Sequence, residues 1–345
     1  MKMIWKILKW FLKSIGFLLA FIILAGLVVR IFGPKPHKPF GELVDIGGFK
    51  LHIVSQGEKS NKPTLVIEGG NGMATEYYHW LNEGLKDSMR VIRYERAGIG
   101  YSDASETPRD PETIAHELHK LLEKAEESPP YIMVGHSLGG PYIRIYTELY
   151  PDEVKAMFLL DATHPKRPER LTSMPSASSW KFKLFVQLQR VQAVLGDMGI
   201  LMLYDIIAGP SFGREMEGLP DEINNRTKDF LIDGKHFRAM TEEFANYYSS
   251  LERAGTFTDF GKLPIRVFPA SSEREIAEED YQAYLKRGID LRKNQRVSRE
   301  LQEDYVNLST DCKLIEVDGD HTTIFTKKEN ADIICKAVIE FLNKD

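Results

Sequence analysis

A serine hydroxyl is a weak nucleophile at neutral pH; it needs a base within hydrogen-bond reach and an acid to orient that base. The segment Tyr131–Gly140, YIMVGHSLGG, holds a serine in a setting suited to that chemistry. An apolar run, Tyr131–Val134, enters Gly135-His136-Ser137-Leu138-Gly139, and a helix-like segment leaves it. Strand, G-x-S-x-G and helix in that order predict a sharp reversal that lifts the Ser137 hydroxyl out of the turn, the two glycines avoiding a Cβ clash. The helix that starts there would direct free N–H groups and its positive end at charge developing beside Ser137. A tight turn with an ordinary serine fits the five residues alone; the strand before and the helix after favour the nucleophile.

The partners should also lie at strand carboxyl ends, where ligand sites gather in open parallel sheets. Of nine histidines, His136, His164 and His321 sit at such an edge. His136 adjoins Ser137 inside the turn, and its side chain should point away from the hydroxyl. His321, directly after the last predicted strand, is the expected base. Two residues compete for the acid. Asp161 ends the strand after the serine unit, and Glu273 follows the next strand within Ala270-Ser271-Ser272-Glu273. Asp161 also suits a cap on the following segment, and Glu273 also suits a surface charge among Arg274, Glu275, Glu278 and Glu279. Asp318 and Asp320 share the loop of His321 and could hardly reach behind its ring.

Other motifs point less far. Gly69-Gly70-Asn71-Gly72 follows an apolar strand but lacks G-K-[ST] and G-x-G-x-x-G, so it reads as the second half of an oxyanion hole rather than a phosphate loop. His116-Glu117-Leu118-His119 spaces its histidines at i and i+3, where the zinc-protease pattern needs i and i+4, and no third ligand is in view. A solvated helix face is expected there, with no metal and no cofactor.

These residues need a scaffold, and the pattern supplies one. Leu43–Ile46 and Lys50–Val54 flank Gly47-Gly48 as a hairpin. Short apolar strands then recur at Thr64–Glu68, Met89–Tyr94, Tyr131–Val134, Val154–Leu160, Leu263–Pro269 and Lys313–Val317. Helical patterns alternate with them at Pro111–Glu126, Gly140–Tyr150, the charged stretch Ile276–Leu308, and Ala331–Leu342. Such alternation predicts an α/β fold with a doubly wound, mostly parallel sheet. Between about Thr163 and Gly261 the rhythm breaks into amphipathic helices, Trp180–Leu195, Met198–Ile207 and Phe237–Arg253, with no clear strand. The stripe Phe182, Phe185, Leu188 and Val191 there suits a buried helix face, or a lipid- or ligand-facing one.

The first 40 residues differ from the rest. Lys2, Lys6, Lys9 and Lys13 precede the uncharged run Ser14–Val29, which ends at Arg30, with Trp5, Trp10 and Phe11 on the entry side. A basic tail (1–13), a transmembrane anchor (14–33) and an extended Pro-rich linker (34–40) are expected, the run reaching spanning length once Lys13 and Arg30 snorkel outward. A cleaved signal peptide is the alternative, but Val28-Val29-Arg30-Ile31-Phe32 holds no small-residue cleavage pair. The slim excess of positive charge before the run places the N-terminus in the cytoplasm and residues 41–345 outside, giving a single-pass protein of the cell membrane. Elsewhere, 43% hydrophobic and 28% charged residues are ordinary for a globular chain of 345 residues. A net charge of −5 without a basic block beyond the N-terminus excludes a nucleic-acid partner. Cys312 and Cys335 match no zinc spacing and no disulfide-rich scaffold; a pairing is the alternative in an exported domain, and two buried thiols are expected.

The glycine loop, Tyr94-Glu95-Arg96-Ala97-Gly98-Ile99-Gly100-Tyr101-Ser102, the elbow GHSLGG and Gly319-Asp320-His321-Thr322 together resemble the α/β-hydrolases, over roughly Gly41 to the C-terminus. The resemblance implies core parts at 41–161 and 262–345, a helical lid at 162–261, and oxyanion donors at the backbone N–H of Leu138 and of Gly70. It also matches the chain order nucleophile, acid, histidine. Two departures stand out: Glu68-Gly69 replaces the frequent His-Gly, and PASSERE lacks the usual aspartate after the seventh strand. The second departure favours Asp161, a position some lipases of the family use. The implied activity is a serine hydrolase cleaving a carboxylic ester, lipid or otherwise. An amidase or peptidase of the proline iminopeptidase type, or a non-catalytic binding module, are the alternatives. The methionines 174, 198, 202, 216 and 240 and the phenylalanines 182, 185, 212, 237 and 244 would give the lid a deformable apolar lining.

Overall fold

The computed structural model describes residues 2–173, 175–209, 215–271 and 276–344. Glu273, Met174 and Phe212 fall outside the described residues. The strands are β1 (Glu42–Asp45), β2 (Lys50–Gln56), β3 (Thr64–Glu68), β4 (Val91–Tyr94), β5 (Tyr131–His136), β6 (Val154–Leu160), β7 (Ile265–Phe268) and β8 (Cys312–Leu314). They form one sheet in the order β1-β2-β4-β3-β5-β6-β7-β8. The hairpin β1–β2 joins β4 antiparallel, and every pairing from β4 onward is parallel. The predicted mostly parallel sheet is therefore what forms.

Helices α1 (Lys2–Phe32), α2 (His79–Leu85), α3 (Pro111–Lys124) and α4 (Gly139–Leu149) precede or interleave the first strands. Between β6 and β7 lie α5 (Arg167–Arg170), α6 (Trp180–Asp197), α7 (Ile200–Ala208), α8 (Asp221–Lys228), α9 (Gly234–Ala245) and α10 (Tyr247–Gly255). After β7 come α11 (Glu278–Leu285) and α12 (Leu291–Asp304), and after β8 come α13 (Thr323–Thr326) and α14 (Lys328–Leu342). The single helices expected over 237–253 and 276–308 are each divided in two. Asn246 departs from helical geometry between α9 and α10, and Gly288 at φ +80° precedes α12, whose first turn Asp290 caps through the Lys293 N–H at 2.9 Å. The last strand is shorter than the expected 313–317, with Val317 joined to Ala270 only by an isolated bridge.

Alternate strand residues fill two cores, as the period-two rule requires. Leu65, Ile67, Ile132, Val134, Phe158 and Leu160 face α2 and α14. Val66, Ile92, Met133, Met157, Leu159 and Val267 face α3 and α4. Burial on both faces makes the middle strands near-continuous apolar runs and fixes their register.

Helix α1 runs through the lysine-bearing segment and the apolar run without a break. At 31 residues it is about 46 Å long. Among the described residues, Met3–Phe32 is long and apolar enough to cross a membrane, and almost all of it is exposed. Its last turns touch the α6–α7 joint, and the following linker docks on α8. There the Asp229 carboxylate accepts from the His37 N–H at 2.7 Å, and the Arg226 guanidinium lies over the Phe40 ring at 3.7 Å.

Candidate active site

Ser137 sits between β5 and α4 with φ at +53°, a left-handed conformation that a residue with a Cβ adopts only under constraint. The constraint is close packing around it. A Cβ on Gly135 would meet Gly140 Cα at 2.8 Å, and one on Gly139 would strike the Glu68 carbonyl. The Ser137 carbonyl accepts from the Gly140 N–H at 3.1 Å and the Thr163 N–H at 2.8 Å. Only glycines permit this approach of helix, strand and loop, which is why the motif requires them.

The structure brings Ser137, His321 and Asp161 together from three strand ends. His321 Nε2 lies 2.9 Å from Ser137 Oγ, and His321 Nδ1 lies 2.5 Å from Asp161 Oδ2. With the carboxylate accepting at Nδ1, that nitrogen carries the proton and Nε2 is free to accept from the serine. Asp161 also has φ above zero, at +38°, and its Oδ1 accepts from the Ala270 N–H at 3.4 Å. Burial pushes the Asp161 carboxyl up, yet the hydrogen bond and charge of His321, with Arg167 nearby, outweigh it and hold the group below its ordinary value. His321 is 47% exposed, so its ring is open to solvent. Asp320 braces its loop instead of its ring, accepting at Oδ1 from the Thr322 and Thr323 N–H groups at 3.0 and 2.9 Å.

The two residues expected as oxyanion donors differ in state. Leu138 follows Ser137 at the entry to α4, where the first helical amides gather. Gly70 lies against the site, for a Cβ there would meet Ser137 Cβ at 3.0 Å, but its N–H donates to Tyr78 Oη at 3.1 Å. Tyr78 in turn lies 3.1 Å from His136 Nδ1, and His136 Nε2 lies 2.9 Å from the His321 carbonyl. A carbonyl can only accept, so Nε2 bears the proton, Nδ1 accepts, and the Tyr78 hydroxyl donates to it. A directed chain thus runs from the glycine loop through Tyr78 and His136 to the backbone of His321. Nothing local in the sequence marked Tyr78 for this; its nearest signal is His136 inside the elbow, whose two ring nitrogens bond Tyr78 and the His321 carbonyl.

A second network holds the glycine loop from behind. Arg96 donates to the Gly69 and Gly70 carbonyls at 2.7 and 2.8 Å, to Glu68, and to Glu243 of α9 at 2.7 and 2.8 Å. Asn71 Nδ2 adds a bond to the Met240 carbonyl at 2.9 Å. Of the apolar residues expected to line a lid, Met240 touches Gly72, and Phe244 packs with Tyr247 beside Leu138. Phe182 and Phe237 are buried between helices, and Met216 packs into the sheet core. His164 pairs with Asp304 at 3.2 Å instead of joining the site. Among the described residues no group of three or more His, Cys, Asp or Glu side chains is placed to hold a metal ion, and Cys312 and Cys335 are free thiols, the first half-buried and the second buried.

Comparison with known proteins agrees with this architecture. The family described as "alpha/beta hydrolase fold" matches residues 62–195. YbdG of Bacillus subtilis is 30% identical over 173 residues, 48% of this chain and 53% of that one. The (lyso)-N-acylphosphatidylethanolamine lipase of Homo sapiens is 27% identical over 180 residues, 51% of this chain and 50% of that one. The chain thus spans about half the length of these curated relatives. A solved structure titled a putative alpha/beta hydrolase from Nostoc sp PCC 7120 superposes with a TM-score of 0.63 at 16% identity, covering 87% of this chain and 97% of that one. The chain has the α/β-hydrolase fold, and the family model matches it over residues 62–195.

The buried His136 gives a pH test. Burial, then the neighbouring His321, pushes it down to about 3. The unfolded chain takes up that proton near pH 6.5, so His136 removes stability as pH falls from there toward about 3. At pH 5 the loss relative to pH 8 should be on the order of 2 kcal/mol. His136→Gln, which can still donate to the His321 carbonyl, should show a smaller acid-induced drop in thermal midpoint than wild type, measured in detergent at pH 8 and 5. Equal drops would contradict the neutral, buried assignment.

Proposed function

We propose that this protein is a membrane-anchored serine hydrolase that cleaves a carboxylic ester with an apolar acyl chain. The observation that carries the reading is the hydrogen-bonded line Ser137 Oγ–His321 Nε2 and His321 Nδ1–Asp161 Oδ2, with the serine held at positive φ at the head of α4. In the proposed reaction Ser137 Oγ attacks the ester carbonyl while its proton passes to His321 Nε2. Asp161 keeps the ring in the right tautomer and stabilises the imidazolium. The developing oxyanion takes the Leu138 N–H, and Gly70 joins once its amide leaves Tyr78. His321 then protonates the departing alcohol, and water, deprotonated by the same ring, releases the acid from Ser137.

The helices from residue 162 to 261 form the proposed lid, and the site-facing Met240, Phe244 and Tyr247 supply its apolar side. The named activity of the human relative, a lipase, gives the acyl reading its direction. Helix α1 is the proposed anchor, with the catalytic part outside the cytoplasm.

Ser137→Ala should lower turnover by about 10⁴-fold or more, as loss of a triad nucleophile does. Asp161→Asn should cost far more than Glu273→Gln in a side-by-side assay on p-nitrophenyl esters; the reverse order would make Glu273 the acid. Across acyl lengths, kcat/KM should climb from acetyl toward medium chains, each buried CH₂ contributing up to about 0.8 kcal/mol. A preference for acetyl, or a flat profile beside faster aminoacyl amide cleavage, would point to a small polar ester or an amide.

A further inference from the structure

Helix α6 has two unlike sides. Phe182, Val186 and Ala193 are buried, Phe182 against Phe244 of α9 and Ala193 in a cluster with Phe237. Trp180, Leu184, Leu188 and Val191, at helical spacing on the other side, are exposed, Trp180 to 69%, with Phe185 and Val194 beside them. Helix α7 adds Tyr204, Ile206 and Ile207, the last 76% exposed. The two helices meet at 80°, and together they are apolar enough for a broken span or a re-entrant hairpin. So much contiguous exposed apolar surface calls for an occupant.

Helix α1 indicates which one. It crosses the α6–α7 joint at a backbone-to-backbone contact: a Cβ on Gly26 would meet the Met198 carbonyl at 2.6 Å, and one on Gly199 would strike the Gly26 carbonyl. Arg30 Nη1 donates to the Gly196 carbonyl at 3.1 Å. Gly26 lies four residues inside Arg30, about 6 Å deeper along the helix. If α1 spans a bilayer with Arg30 at its edge, the joint it touches cannot stand clear of that bilayer.

We propose that the α6–α7 pair lies in the membrane interface, its stripe Trp180–Leu184–Leu188–Val191 and Ile206–Ile207 turned to the acyl chains. This rests on reading α1 as an anchor and extends it: the enzyme touches its bilayer at two places. Interfacial helices bury an apolar face about 5–10 Å deep with cationic side chains at the headgroups, and exposed Lys181 and Lys183 flank the stripe. The same face leads inward. Phe185 meets Phe244 at 5.3 Å between ring centroids, Phe244 meets Tyr247 at 5.6 Å, and Tyr247 packs with Leu138 beside the serine. An acyl chain leaving the bilayer along this row stays on apolar rings.

The test uses the full chain in phosphatidylcholine vesicles, with Cys312→Ser and Cys335→Ala as background. Single cysteines replace Leu19, Leu188, Ile207 or Asn61 and carry an environment-sensitive fluorophore. Asn61, between β2 and β3, lies at the sheet edge opposite the serine. Phosphatidylcholine bearing nitroxide on its acyl chains should extinguish the labels at Leu19, Leu188 and Ile207 and spare Asn61. Quenching at Leu19 alone would overturn the proposal and leave the anchor standing. Quenching at Leu188 and Ile207 without Leu19 would keep the docking face and remove the anchor. A blue-shifted but unquenched Leu188 label would mean that a second protein copy covers the face, which overturns the proposal too. Loss at Asn61 as well would show unspecific insertion and also overturn it.

Discussion

One buried cation holds the serine-bearing side of this molecule in shape. Arg96 is 3% exposed and spends its guanidinium on two carboxylates, Glu68 and Glu243, and on the carbonyls of Gly69 and Gly70. Burial alone would push its proton off, but the two carboxylates outweigh burial and drive its basicity well above the ordinary value. The burial of Glu68 pushes that carboxyl up despite the Arg96 charge and the Tyr94 hydroxyl bonded to it. Taking one member from such a buried set leaves charge without a partner, at a cost of about 3–5 kcal/mol. Glu68 ends β3, Arg96 follows β4, and Glu243 belongs to α9, so a single ion set ties the sheet, the glycine loop and the insertion. The replacement of the frequent histidine by Glu68 then has a physical reason: the side chain here accepts from the Arg96 guanidinium.

Around that anchor the site is a problem of close approach. Ser137 and Asp161 both hold positive φ, each costing on the order of 1–3 kcal/mol, which the surrounding contacts must offset. The sheet provides rigid strand ends, glycines at 135, 139 and 140 remove the side chains that would collide, and the Tyr78–His136 chain fixes the His321 backbone from below. The exposed ring of His321 is therefore held through its main chain and its carboxylate rather than by enclosure. That leaves the imidazole open to solvent while Nε2 faces Ser137 Oγ.

Much of the fold was readable in the sequence because it follows local periodicity: apolar runs of strand length, G-x-S-x-G between strand and helix, and histidine after a last strand. The three residues that come together each lie at a strand end, which the alternation alone indicates. What escaped reading depends on distance along the chain. Arg96 and Glu243 are 147 residues apart, and Tyr78 and His136 are 58 apart, so no local pattern announces either pairing. The joints of the insertion were blurred for another reason. Its helices α9 and α10 keep one amphipathic rhythm across Asn246, and only the backbone shows the bend. The Gly70 amide was expected as a donor from the resemblance, which says nothing of the buried Tyr78 hydroxyl that competes for it.

The central claim is that Ser137 is an activated nucleophile. The most direct measurement is reaction of the membrane-bound protein with a fluorophosphonate, which phosphonylates a serine only where a base has made it nucleophilic. Peptide mass spectrometry should find one adduct, on Ser137, and His321→Ala should abolish it while the protein remains folded. An adduct elsewhere, or none in the folded wild-type protein, would contradict the account.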